Sequence, residues 1–347
     1  MKLSTPVKIG LIGTGGIAQS YREAFSRVGA AELIAVADSD PGRVETAPAI
    51  WGCPGYSSAE EMFDAHSDLE AIIICTPPNT HESITCSALD RGIHVLCEKP
   101  LSTTSSSAER MRVAAEKAGK ILTMASKFRH VCDVVAAKEL VSYGKIGDII
   151  MFENAFTSYV DMRGRWNANP EVSGGGVLID NGTHSLDIAR YFLGPIKELR
   201  VIEGRRCQGL DVEETVNIFI KSEEGVLGNI DLSWTIQKPL ENYVQIHGSK
   251  GTLCIGWKDS KYRIGNGEWI SFGKGYDKVR AFMNQISNFS KAIRGEAKLR
   301  VTAQDGVASV RAVEAAYKAL QDEPWTKVRR SKVDVQTKEA AVLNGGK

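Results

Sequence analysis

The sequence predicts an α/β half built on a doubly wound parallel sheet, followed by an α+β half with a large, open, mainly antiparallel sheet. Two patterns carry that reading. Over the first third, short runs of mostly apolar residues alternate with segments of helical periodicity, and after Gly147 the alternation switches to period two. Strands buried on both faces and joined by helices form parallel crossovers, whereas period-two strands keep one face wet.

In chain order, Val7–Ile12 reads as a strand, Gly16–Val28 as a helix and Leu33–Ala37 as a strand. Ala71–Cys75, His94–Cys97 and Ile121–Ala125 are further buried strands, separated by helical Asn79–Asp90 and Thr103–Ala118. This is βαβ alternation. The junction falls between Ala125 and Gly147, because Val131–Tyr143 reads as the first helix of the second half; the expected domains are residues 1–126 and 127–347. Beyond it, Gly182–Leu193 is helical, and Leu199–Arg205, Glu214–Ile220, Val226–Ile236, Asn242–His247 and Thr252–Ile255 are strands. Within Val226–Ile236, one face carries Val226, Gly228, Ile230, Leu232, Trp234 and Ile236, and the other Leu227, Asn229, Asp231, Ser233 and Thr235. Val279–Ile293 and Thr302–Leu320 close the pattern as helices, the later one packing back on the first domain, and the charged tail after Lys327 is expected to fray.

Composition narrows the function classes. With 347 residues the chain is long enough for two domains, and 43 basic against 42 acidic residues leave a formal charge of only +1. Such a balance offers nothing to a nucleic acid. The longest apolar run, Ala71–Cys75, is far shorter than the ~20 residues of a bilayer span. Met1–Gly13 has no long apolar core or small-residue cleavage site, so a cytoplasmic protein is expected rather than an exported one. Seven cysteines (Cys53, Cys75, Cys86, Cys97, Cys132, Cys207 and Cys254) include no CxxC pair and read as reduced thiols. His66, His81, His94 and His247 show no metal-ligand spacing, and no metal is expected.

The segment from Ile9 to Ala18 places G-x-G-x-x-A where the first strand meets the first helix. Gly13 permits a tight turn, Gly15 and Gly16 let the backbone approach a pyrophosphate, and small Ala18 lets helix pack on strand. The helix N-terminus beginning near Ile17 then faces the anion. The second strand ends at Asp38, twenty residues past Ala18, where a carboxylate accepts hydrogen bonds from ribose hydroxyls. This is the arrangement of a Rossmann domain binding a nicotinamide dinucleotide. Asp38 and Asp40 favour NAD over NADP, because a 2′-phosphate meets negative charge there; Arg43, a turn into the next helix, is the one nearby group that opposes this preference.

Two motifs follow the next strands: Thr76-Pro77-Pro78-Asn79-Thr80-His81, and Glu98-Lys99-Pro100. Both sit at the C-terminal ends of parallel strands, where open α/β sheets bind ligands. In the second half, Gly174-Gly175-Gly176 leads to Asp180 and, four residues on, His184, with Asp187 beyond. Oxidising an alcohol requires a proton acceptor at the hydroxyl and a hydride acceptor at the carbon, and a nicotinamide supplies only the second. His184 titrates in a useful range and Lys99 can hydrogen-bond the same oxygen; spacing alone does not decide which takes the proton.

In this order and spacing the motifs resemble the glucose-fructose oxidoreductase, inositol dehydrogenase and rhizopine catabolism family, Gfo/Idh/MocA, over essentially the whole chain. The resemblance implies an NAD(P)-dependent dehydrogenase acting on a secondary hydroxyl of a sugar, cyclitol or related polyol. It implies Lys99 as catalytic lysine and Asp180 and His184 as substrate-binding and acid/base residues, with Thr76, Pro77, Pro78, Asn79, His81, Glu98 and Lys99 beside the cofactor. Phe128-Arg129 reverses the family's Arg-Phe pair; Arg129, Arg165 and Trp166 are nonetheless candidates for contacting substrate. Competing readings are a keto-sugar or nucleotide-sugar reductase, an NAD-dependent glycosidase and a non-catalytic regulatory relative. A homodimer or homotetramer formed through the second-domain sheet is also expected, since the Leu227–Thr235 face is flat and only mildly polar.

Overall fold

The computed structural model describes residues 5–322; the tail after Lys327 lies outside the described residues. The first sheet has six parallel strands: β1 (Val7–Ile12), β2 (Ala31–Ala37), β3 (Gly55–Tyr56), β4 (Ala71–Ile74), β5 (His94–Cys97) and β6 (Leu122–Met124). Their spatial order is β3-β2-β1-β4-β5-β6. Chain order reverses direction at β1, and the crevice beside the C-terminal ends of β1 and β4 is where such sheets take ligands. The crossover helices are α1 (Ala18–Phe25), α2 (Pro41–Trp51), α3 (Ala59–Ala65), α4 (His81–Asp90) and α5 (Ser105–Ala118). Residues such as Ile72, Ile73 and Ile74 are fully buried, as a strand covered on both faces requires.

A short 3₁₀ turn at Lys127–His130 leads into α6 (Cys132–Ser142). The second sheet comprises β7 (Ile149–Thr157), β8 (Ile196–Glu203), β9 (Thr215–Ser222), β10 (Leu227–Ser233), β11 (Asn242–Gly248), β12 (Gly251–Gly256), β13 (Ser260–Ile264) and β14 (Ile270–Gly273). Its order is β14-β13-β12-β11-β7-β10-β9-β8. All neighbours are antiparallel except β7 and β10, which run parallel. Short α7 (Pro170–Ser173) and long α8 (Val177–Leu193) sit between β7 and β8, with α9 (Lys278–Ile293) and α10 (Ala303–Leu320) at the end.

The alternation predicted around β10 places Ile230 and Leu232 in the core and leaves Leu227 54% exposed. Two assignments at its end are corrected. Strand geometry stops at Ser233, so Ile236 turns outward, while Ser233 is buried and hydrogen-bonded to the Thr215 hydroxyl at 2.7 Å.

The two sheets are separate in sequence, but their cores are not. Phe282, Ile286 and Phe289 of α9 join the cluster containing Val7, Ile9 and Tyr21. Val307 and Val310 of α10 join the cluster under β5 and β6, while Val313 and Ala316 pack with α8. The late helix therefore packs on both halves, against α5 and β6 of the first and α8 and β8 of the second. The seven cysteines are all unpaired. Among the described residues, no helix is long and apolar enough to cross a membrane.

Candidate active site

A cavity of about 1340 Å³ runs along the C-terminal ends of the first sheet's strands to α8 and β7. That exceeds the roughly 300–1,000 Å³ of a site for one small ligand, leaving room for a dinucleotide and a second molecule.

At one end the backbone is shaped by glycine. Gly13 has φ +88°, and a Cβ there would lie 2.9 Å from the Thr76 nitrogen and the Cys75 carbonyl carbon. Only glycine fits. A Cβ on Gly16 would meet nothing within 4 Å, so open space faces the turn at the start of α1. Gly15, Gly16 and Ile17 line the cavity, while Ala18 is fully buried behind them, where its small side chain lets α1 approach β1. Asp38 accepts from the Thr14 N–H and hydroxyl, both at 2.7 Å, from the Asp40 N–H at 3.0 Å and from Arg43 at 3.2 Å. Burial alone would raise its pKa, but these donors outweigh burial and hold the carboxyl below its usual range. These features fit a dinucleotide whose pyrophosphate meets the glycine turn and whose ribose meets Asp38.

Thr76, Pro77, Pro78, Glu98 and Lys99 also line the cavity. Burial raises the pKa of Glu98, whose two oxygens accept from the Tyr21 hydroxyl at 2.8 Å and the Lys99 N–H at 3.1 Å. The structure places His81 behind the cavity wall, which removes it from the cofactor set. Asn79 is not among the cavity-lining residues. His81 is fully buried, its ring nitrogens each 2.9 Å from the carbonyl oxygens of Thr76 and Pro100. It ties together the two loops that do face the cavity.

At the other end, Lys99 forms an ion pair with Asp180 and donates to its carbonyl at 3.0 Å. Asp180 is neither an N-cap nor ahead of the helix, as the predicted Gly182 start would have it. It lies inside the first turn of α8, which begins at Val177, and His184 follows one turn later on the same face. The start of α8 has no cap of its own. Glu213, from the strand-entry loop before β9, accepts from the N–H groups of Gly176 at 2.9 Å and Leu178 at 3.0 Å, and from the Tyr317 hydroxyl of α10 at 2.8 Å. This also explains the glycine run: a Cβ on Gly175 would lie 1.8 Å from the Tyr317 oxygen, and one on Gly176 2.2 Å from the Glu213 carbonyl oxygen.

His184 stands edge-on to the Phe128 ring at 5.1 Å. Burial, then the charges of Lys99 and Lys127, push its pKa well below the ordinary histidine value. It is therefore neutral near pH 7. Arg165 and Trp166 line the mouth. Arg129 does not. Its side chain is 6% exposed and held by Asp187 at 2.6 and 2.9 Å and by Asp305 at 3.3 Å, so its assignment as a substrate contact is corrected to a clamp between the 3₁₀ turn, α8 and α10. Asp187 is the buried half of that clamp.

The sequence reading missed Lys127, Ser158, Asn181, Lys238 and Trp257, all of which line the cavity. Lys127 had a usable signal, since it follows β6 as Lys99 follows β5; the others come from loops and helix positions with no motif.

An open parallel sheet with a glycine turn, an acidic residue after β2 and a Lys/Asp/His cluster facing them defines a nicotinamide-linked oxidoreductase. Comparison with known families agrees: the model described as "Oxidoreductase family, NAD-binding Rossmann fold" matches residues 7–126, and the GFO/IDH/MocA C-terminal domain matches residues 134–254. The chain belongs to the Gfo/Idh/MocA oxidoreductase family. An inositol 2-dehydrogenase of Rhizobium meliloti (strain 1021) is 25% identical over 340 residues, covering 91% of this chain and 97% of the relative. A D-glucoside 3-dehydrogenase of Escherichia coli (strain K12) is 33% identical over 199 residues, 55% of each chain. Among solved structures, a levoglucosan dehydrogenase in complex with NADH and levoglucosan superposes with TM-score 0.85 at 20% identity, covering 94% of this chain and 100% of that one, and shows the shared fold.

Proposed function

We propose that the protein is an NAD-dependent dehydrogenase of a secondary hydroxyl in a sugar, cyclitol or related polyol. The observation that carries this is the Lys99–Asp180 pair with neutral His184 at the cavity end opposite the glycine turn and Asp38. The sugar- and cyclitol-acting relatives support the substrate class. When bound, NAD supplies the hydride acceptor.

The chain's residues supply the rest. Lys99, as the cationic partner of Asp180, has no lone pair to offer, so it donates a hydrogen bond to the reacting oxygen and favours its developing negative charge. His184 is uncharged and has no hydrogen-bond partner for its ring among the described residues, so it takes the hydroxyl proton. Asp180 fixes the Lys99 ammonium and accepts from a neighbouring hydroxyl. Asp38 selects NAD by accepting from the ribose hydroxyls and repelling a 2′-phosphate.

Two wider expectations accompany this reading. The outer face of the second sheet sets Leu227 opposite Met151, with Phe219 diagonal to it, all exposed, and this favours a homodimer or homotetramer through that face; light scattering checks it, and a monomer overturns it. The unpaired cysteines support a reducing, cytoplasmic setting. The main test is NADH formation by purified protein over a panel of monosaccharides, inositols and sugar acids. Turnover of at least one member is expected; tight NAD binding with no turnover of any overturns the dehydrogenase reading.

A further inference from the structure

The substrate end of the cavity holds two neighbouring lysines, of which Lys99 is paired with Asp180 and Lys127 is left without a counter-charge among the described residues. Lys127 stands three residues past β6 and Lys99 two past β5, and β5 and β6 are adjacent parallel strands, so both ammonium groups emerge side by side at the same sheet edge. The charged groups around Lys127 are Glu98 and Lys99 at the end of β5, Asp180 on α8 and Lys278 on α9. His184 of α8 lines the same cavity.

Each possible partner is already engaged or of the wrong sign. Asp180 is paired with Lys99. The oxygens of Glu98 accept from Tyr21 and from the Lys99 N–H. Lys278 is another cation, and His184 is uncharged. Among the described residues Lys127 Nζ makes no hydrogen bond or ion pair; the Phe128 ring lies 5.4 Å from it. Burial, then the neighbouring Lys99 charge, lowers its pKa to about 8. At the mouth, the Arg165 side chain also lacks an ion pair among the described residues, in contrast to Arg163, which is bound to Asp161 at 2.7 Å. Lys238, which also lines the cavity, is only loosely paired with Asp231, at 3.8 Å.

The cofactor's pyrophosphate does not answer this imbalance. The glycine turn follows β1, and β6 lies three strands away in the sheet, roughly 14 Å at ~4.8 Å per strand. A neutral polyol offers hydroxyl groups but no counter-charge, and a desolvated ammonium without one is costly.

We propose that Lys127, with Arg165 at the mouth, receives an anionic group of the substrate, so that the polyol oxidised is a sugar carboxylate or sugar phosphate rather than a neutral sugar. This rests on the dehydrogenase reading and names its substrate class. A charge-assisted hydrogen bond from Lys127 anchors one end of the substrate while Lys99 and His184 address a hydroxyl further along it.

The test uses matched pairs with saturating NAD: galactose against galacturonate, glucose against gluconate, and glucose against glucose 6-phosphate. Wild-type kcat/KM should favour the anionic member of at least one pair by about tenfold or more. Lys127→Met should shrink that preference by about 10- to 100-fold, mainly through KM, and Lys127→Arg should keep most of it. The carboxylate pairs and the phosphate pair separate the two anion sources. Equal or better turnover of every neutral member overturns the proposal while leaving the dehydrogenase reading intact, as does an unchanged preference in Lys127→Met. If nothing in the panel is oxidised, calorimetric titration of the same three anions into the NAD-loaded wild type and Lys127→Met decides: binding lost in the variant supports the proposal, and equal binding or none overturns it.

Discussion

The two ends of the cavity are built in different ways. The part of the cofactor end that fits a pyrophosphate and ribose comes mainly from one stretch of chain, Gly13 to Arg43, in which a glycine turn, a helix start and Asp38 follow from the geometry of a single βαβ unit. The substrate end gathers Lys99, Lys127, Phe156, Arg165, Asp180, His184, Lys238 and Trp257 from strands, turns and helices far apart in sequence. A local site is stabilised by backbone turns; an assembled one depends on long-range contacts such as Arg129–Asp187 and Glu213–Tyr317, which bring its parts together. In the proposed function the first kind binds and the second kind performs the chemistry.

The sharpest test of that contrast is catalytic, and it carries the largest expected effect. Lys99→Ala and His184→Ala should each lower kcat by ~10² to 10⁴-fold while NAD affinity, set at the other end, changes little. The double variant should lose less than the product of the two, since both groups act on one oxygen. Steady-state kinetics with calorimetry of NAD binding checks both statements, and an active double variant rejects the assignment. The pH profile adds a second reading. His184 must be unprotonated to accept a proton, and burial with two nearby lysines lowers its pKa, so the acid limb of kcat/KM should lie below about 6.5. A limb at or above that value contradicts the role.

The same contrast explains what the sequence did and did not reveal. The βαβ succession and the glycine turn are legible because turn geometry and strand burial are local demands on residue type. The Lys99, Asp180 and His184 set was legible because motifs at strand ends and a helical spacing of four mark it. His81 and Arg129 misled for a shared reason. Each belongs to a motif near the site, yet each is turned away from the cavity by a buried partner, carbonyl oxygens in one case and Asp187 in the other, and sequence proximity carries no information about that direction. The start of α8 was misplaced because its cap is supplied by Glu213, some 35 residues later, instead of by a local side chain.

Next in size is the effect of breaking a long-range contact. Arg129→Met strips buried Asp187 of its hydrogen-bonded counter-charge, leaving only Arg190 at 4.0 Å, and should cost ~3 kcal/mol of unfolding free energy. Arg43→Met, which removes the partner of Asp38 at the cofactor end, should cost at most ~1 kcal/mol, because Arg43 is about half exposed and Asp38 keeps its Thr14 donors. Urea denaturation of the two variants measures the difference; equal costs would erase the distinction between the two ends.

A smaller effect concerns His130, beside Arg129 in the same turn. Burial, then the charges of Arg300 and Arg129, lowers its pKa to about 3, and among the described residues its Nδ1 has no hydrogen-bond partner. The unfolded chain, with an ordinary value near 6.5, binds the proton more readily. The stability this histidine contributes is therefore fully present above pH 6.5 and is lost as pH falls from 6.5 toward 3. Between pH 7.5 and 5.0 the loss is about 2 kcal/mol, from ~1.4 kcal/mol per pH unit over the 1.5 units below 6.5. His130→Gln should flatten the stability curve by that amount, as denaturant unfolding at the two pH values will show. An equally steep curve in the variant excludes His130 as the source.

The smallest expected effect returns to the cofactor end, where the proposed function has one carboxylate choose the dinucleotide. Asp38 is anionic and held by Thr14, Asp40 and Arg43, so a 2′-phosphate placed beside it meets a fixed negative charge. Asp38→Ala removes the repulsion and also releases Arg43, whose remaining acidic neighbour is Asp40 at 3.6 Å. Two changes then act together: NAD loses the acceptor for its ribose hydroxyls, and NADP gains a free guanidinium for its phosphate. The NAD-to-NADP affinity ratio should fall by about tenfold, the equivalent of roughly 1.4 kcal/mol. Adding Arg43→Met to Asp38→Ala should take back the gain in NADP affinity without restoring NAD, which separates lost repulsion from a new ion pair. Calorimetry with both cofactors measures each contribution, and an unchanged ratio in Asp38→Ala would show that discrimination resides elsewhere along the cavity.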